Sequence, residues 1–117
     1  MKWILTMACA VLSSLTLWVQ AGGAETADRI ARQQATAKGI ICKVFGRYCK
    51  QALAVSWCES KWYIWAQNGQ YLGLFQMGSS ERRIYGHGPG AWAQARAAHR
   101  YFIASGRDWS PWTCKPW

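Results

Sequence analysis

A mostly helical α+β domain stapled by disulfides is the fold class that this sequence predicts, on three observations. Apolar residues recur at three-to-four spacing over residues 50–62 and again over 91–105, the period of helices with one buried face. Between them Asn68-Gly69 stands among loosely alternating residues, the pattern of a tight turn and a small β element after the first core helix. Cys42, Cys49, Cys58 and Cys114 all fall in this part of the chain, an even number in a small domain.

The chain of 117 residues holds one domain, and its start reads as an address. Met1 and Lys2 precede a run, residues 3–19, free of charge. Val19-Gln20-Ala21 and Gly22-Gly23-Ala24 then offer small residues at cleavage spacing. The apolar run of about 17 residues is near the lower limit for a membrane span, and Thr6, Ser13, Ser14 and Thr16 interrupt it. Residues 1–24 are therefore expected to be a signal peptide, cut after Ala21 or Ala24. The expected product is secreted, extracellular or associated with a cell wall, with no stable membrane insertion.

Cleavage removes Cys9 and leaves four cysteines with three formal pairings. Along a continuous helix Cys42 and Cys49 would stand about 10 Å apart, too far to bond, but Gly46 lets the chain fold back between them. The favoured pairing is Cys42–Cys49 with Cys58–Cys114. Zinc is disfavoured, because no pair has the two-to-four-residue spacing of zinc knuckles.

After cleavage 13 basic side chains face five acidic ones, a formal charge of +8. Such a surface either keeps the protein soluble or meets an anionic partner. Export argues against nucleic acid and leaves acidic lipid and the polymers of a bacterial wall. Residues 25–41 form a polar lead-in, and the compact domain is expected over 42–117.

Chemistry has few candidates, because this domain holds only three carboxylates: Glu59, Glu81 and Asp108. Glu81 precedes Arg82 and Arg83 early in a short helix that Ser79 and Ser80 could cap, and reads as structural. Asp108, at a helix exit beside Arg107, reads as a cap for the aromatic tail or an arginine partner. Glu59 sits four residues after Val55 and three before Trp62, on one helical face with both. Desolvation there would hold its proton near neutral pH, as a general acid requires. His87, in a glycine-rich loop, and His99, on a helix stripe with Trp92, Ala95 and Phe102, read as structural, with no second metal ligand at suitable spacing.

Trp57-Cys58-Glu59-Ser60, then Asn68-Gly69 and Gly73-Leu74-Phe75-Gln76, resemble the spaced motifs of soluble-lytic-transglycosylase-like and goose-type-lysozyme-like domains. The resemblance covers Cys42 to Trp117, and the combination is more specific than either part. It implies a lysozyme-like fold, Glu59 as the acid that breaks the MurNAc-GlcNAc bond of peptidoglycan, and Gln76 beside the sugars. No cofactor or metal is implied. Ser60, Asn68, Tyr71, Phe75 and Trp62 are the further candidates for holding glycan. The family's Tyr-Asn-Ala-Gly motif is absent, leaving Tyr101 as the candidate counterpart of its tyrosine. One acid without an evident nucleophile points to a single-glutamate mechanism, in which the sugar's own 6-hydroxyl or water completes the reaction. Two other readings fit the same residues: a wall-binding module that does not cut, and a cationic antimicrobial protein in which Glu59 is incidental.

Overall fold

The computed structural model describes residues 2–117, with side chains from residue 23 onward. The expected leader, with Cys9, falls largely outside the described side chains. The elements are α1 (Lys2–Phe45), a 3₁₀ turn (Gly46–Tyr48), α2 (Cys49–Ser60), β1 (Gln67–Asn68), β2 (Tyr71–Leu72), α3 (Ser79–Tyr85) and α4 (Ala91–Ala104). Among the described residues no helix is long and apolar enough to cross a membrane. The chain divides into two units, residues 1–32 and Gln33–Trp117. In the first, Glu25 and Arg29 form an exposed pair at 3.9 Å.

In the second unit the expected lead-in is helical, and its last turns belong to the core. Ala37, Ile40 and Ile41 are buried at the one-sided spacing of an amphipathic helix, and Phe45 extends the same face. Phe45 is the hub. Its ring lies 5.3 Å from Phe75, 5.9 Å from Phe102 and 5.7 Å from Trp109, gathering four segments distant in sequence. Gly46, at φ +56°, reverses the chain as its lack of a side chain permits, and Cys42 and Cys49 are bonded across that reversal. Cys58 is bonded to Cys114, so both expected disulfides are present.

Helix α2 ends at Ser60, two residues before the expected Trp62, because Lys61 and Trp62 both turn left-handed (φ 52° and 62°). Such backbone is uncommon outside glycine and needs support. The Ser60 hydroxyl accepts the Trp62 N–H at 3.1 Å, while Gln34 and Gln33 of α1 donate to the carbonyls of Lys61 and Trp62, both at 2.9 Å. The hairpin follows as expected, Asn68 opposite Tyr71 and Gln67 opposite Leu72. Gly73-Leu74-Phe75-Gln76 forms a turn closed by paired backbone bonds between Leu72 and Met77.

Gly78, not a serine, stands at the N-cap of α3. The Ser79 N–H and hydroxyl instead reach the Gln70 side-chain oxygen, at 3.2 and 3.1 Å. Helix α4 buries Gln94, Ala95, Ala97, Ala98 and Phe102, the alanines allowing close approach. The expected stripe is displaced: Trp92 is exposed, and His99 is half-buried, edge-on to Phe45 at 5.0 Å. Beyond α4, Gly106 (φ +80°) donates to Ile103 and Arg107 to Phe102, the paired bonds that close a helix through a left-handed glycine.

Truncating the hub should therefore cost far more than truncating the outer face. Phe45→Ala is expected to destabilise by about 3–5 kcal/mol, and Trp92→Ala by less than about 1 kcal/mol, in urea denaturation of the oxidised protein.

Candidate functional site

Glu59 occupies the last turn of α2, half-buried, and its Oε1 accepts the backbone N–H of Cys114 at 3.0 Å. That bond follows from the disulfide: Cys58 immediately precedes Glu59, so its bridge draws the C-terminal segment against the helix end. The carboxylate lines an open, predominantly polar cleft of about 790 Å³. Its walls are the end of α2, the hairpin, the start of α3, Tyr101 of α4 and residues 111–114.

Among the expected site residues, Glu59, Ser60, Asn68, Tyr71, Gln76 and Tyr101 line this one cleft. Their roles there differ. The Ser60 side chain is committed inside the protein: its hydroxyl lies 2.8 Å from the Leu74 carbonyl and 3.0 Å from that of Ser56. It ties the helix end to the facing turn. Gln76, left-handed at φ 46°, donates from Nε2 to the carbonyls of Ala66 (3.0 Å) and Gly73 (3.1 Å), which fixes the amide beside the cleft. Tyr71 and Asn68 are exposed on the hairpin. Tyr101 stacks on Tyr85 at 5.1 Å and meets Trp112 at 5.0 Å. Burial, then the negative Glu81 and the neighbouring Tyr85, push its phenol above the ordinary range.

Two expected residues lie elsewhere. Phe75 is in the core between Phe45 and Trp109, because its turn sends Leu74 and Phe75 inward. Trp62, carried off the helix by the left-handed exit, packs on Trp57 at 4.6 Å beneath the Lys38 ammonium. Its indole donates to the Ser56 hydroxyl at 3.1 Å. Trp62 therefore does not share a face with Glu59.

The sequence reading missed Glu81, Gln70 and the tail residues 111–113, all of which line the cleft. For the tail a signal existed, since the expected Cys58–Cys114 bridge already placed it beside Glu59. For Glu81 there was none. Asp108, by contrast, is exposed and accepts the Ser110 N–H at 2.9 Å, capping the aromatic tail.

No family model, curated protein or solved structure matches the chain. The site is therefore read from its own chemistry. Among the described residues no group of histidine, cysteine or acid side chains could hold a metal ion. What the cleft offers is a carboxylate anchored to backbone, a second carboxylate, amide and hydroxyl groups for hydrogen bonding, and aromatic side chains, a set suited to a polar chain such as a glycan.

The facing turn depends on Gln94, buried in α4. Its Oε1 accepts the Leu74 N–H at 2.9 Å, and its Nε2 donates to the carbonyls of Ile64 (2.8 Å) and Pro89 (3.2 Å). Gly73 (φ +80°) makes room for it, since a Cβ there would stand 2.5 Å from that Oε1. Gln94→Ala should cost about 3 kcal/mol or more, having stranded three backbone groups, as read from the urea midpoint.

His87 and His99 give the fold a pH dependence. Burial first, then the charge of Arg82, lowers His87, whose buried Nε2 has no hydrogen-bond partner among the described residues. Burial, then Arg107 and Arg100, lowers His99. Below about pH 6.5 the unfolded chain binds more protons at these sites than the folded one, so stability present above that pH is lost on acidification. Urea midpoints should fall between about pH 7.5 and pH 5.5, with a flatter slope in the His87→Gln, His99→Gln variant.

Proposed function

We propose that this chain is an exported enzyme that cuts the glycan strands of bacterial peptidoglycan by general acid catalysis from Glu59, in the manner of a lytic transglycosylase. The observation that carries this reading is the position of Glu59: half-buried at a helix end, anchored by the Cys114 N–H, in an open polar cleft that Gln76 also lines. The cleft volume suits several sugar units. Of the motifs that resemble lytic transglycosylases, Cys58, Glu59, Ser60, Asn68 and Gln76 line it.

In the proposed reaction the Glu59 carboxyl gives its proton to the bridging oxygen as the bond from that oxygen to the muramic C1 breaks. The resulting carboxylate then takes a proton from the muramic 6-hydroxyl as that oxygen bonds C1, forming an anhydro end and restoring the acid. Water in place of the 6-hydroxyl gives a hydrolysed end. Anchoring by a backbone N–H keeps Glu59 in place through both proton transfers, as proximity catalysis requires. Tyr71 presents an exposed ring for stacking on a sugar face. Two disulfides suit an oxidising compartment, and the expected leader supplies the route to it.

The test is release of muropeptides from purified sacculi, followed by mass spectrometry. Glu59→Gln should lower the rate at least about 100-fold while leaving the urea midpoint near that of the parent. Undiminished release by Glu59→Gln overturns the reading. Binding of sacculi by the parent protein with no product replaces it with a wall-binding module.

A further inference from the structure

Glu81 is the second carboxylate of the cleft, and no basic side chain among the described residues pairs with it. It directly precedes Arg82 and Arg83, yet among the described residues it makes no ion pair or hydrogen bond. Arg82 is committed to the carbonyls of Gln70 and Met77 instead. Residues 33–117 carry eleven basic against three acidic side chains, so a half-buried acid without a partner is unusual here.

Glu81 folds back over Gly78 at the wall of the cleft. A Cβ on Gly78 would stand 2.7 Å from the Glu81 Oε2, 3.4 Å from the Gln70 side-chain oxygen and 3.4 Å from the Tyr71 ring. The missing side chain of the glycine thus lets the carboxylate lie close to the Gln70 oxygen beside the cleft. The Gln70 oxygen is held in place by the N–H and hydroxyl of Ser79. Glu81 itself stands at the third residue of α3, where an acid commonly reaches back to the N-cap N–H, but that bond is not made. A negatively charged acceptor set calls for a positively charged donor.

We propose that Glu81, with the Gln70 oxygen beside it, holds a primary ammonium group of the glycan at this wall of the cleft, so that Glu81 sets specificity for amino-bearing wall material. The inference rests on the peptidoglycan reading. Two sources present that chemistry: a glucosamine lacking its acetyl group, and the free amine of a stem peptide.

The test compares three substrates: fully acetylated glycan strands freed of peptide, the same strands partly de-N-acetylated, and peptide-bearing strands. The parent protein should show a KM about fivefold lower on one amino-bearing substrate than on the acetylated strand, shrinking with added salt. The arm that shows this identifies the source. In Glu81→Gln the KM ratio should collapse to about one. Glutamine can still serve at that helix position, so an unchanged urea midpoint shows that the charge, not the fold, was lost. Glu81→Asp should keep part of the preference. A ratio that survives in Glu81→Gln, or a parent protein with no preference on either arm, overturns the proposal. Failure to cut any of the three substrates overturns the peptidoglycan reading instead.

Discussion

The bond between Cys58 and Cys114 joins the last turn of α2 to the C-terminal segment across a separation of 56 residues, and most of the cleft depends on it. Closing a loop of that length can stabilise a small unit by about 4 kcal/mol in the chain-entropy model. Its local effect matters more for the site. With Cys114 fixed, its N–H reaches Glu59, the Trp112 indole donates to the Phe75 carbonyl at 2.9 Å, and Lys115 gathers the carbonyls of Trp109, Ser110 and Trp112. One covalent link thereby orients the carboxylate, supports the facing turn from behind and orders the tail.

Strained backbone is concentrated around the same cleft. Lys61, Trp62 and Gln76 adopt left-handed φ without being glycines, and each such residue costs on the order of 1–3 kcal/mol. The offsetting bonds come from long range for the first two, from Gln33 and Gln34 of α1, and from the nearby backbone of Ala66 and Gly73 for Gln76. An abrupt left-handed exit ends α2 at Ser60 and keeps the following tryptophan out of the cleft. The two glutamines of α1 are thus part of what holds the site open.

Much of this was readable in advance, and the rest for identifiable reasons was not. The α2 and α4 helices, the hairpin at Asn68-Gly69 and the Cys42–Cys49 bridge follow from local period, turn chemistry and reach along the chain, each a property of a few neighbouring residues, and Cys58–Cys114 is the pairing then left. The role of residues 33–41 was not legible, because Ala37, Ile40 and Ile41 are too sparse in a polar stretch to signal burial without their partners. Trp62 was misplaced because helical period assumes that the helix continues, and what stops it is support from α1. Phe75 was misplaced because a four-residue turn alternates its faces in a way no short motif encodes. Glu81 looked solvated because its neighbours are arginines, one of which is drawn away by carbonyls of the hairpin.

The two cleft carboxylates differ in a way that bears on what each can do. Glu59 is tied to backbone, on a helix end clamped by a disulfide, so its position is set to within the small motions of the core. A group that must give and then take a proton along one reaction path benefits from that restraint. Glu81 stands in a seven-residue helix with no hydrogen bond of its own and can follow a mobile charge. Asp108, the remaining acid of this unit, is turned into a cap for the tail. The division gives a cleft with one acid anchored to backbone and one acid left unpaired, in a unit of strongly basic composition. On the proposed reading a strand of mixed charge fits that arrangement: its anionic groups can lie along the basic exterior, while an ammonium group meets the unpaired carboxylate of the cleft.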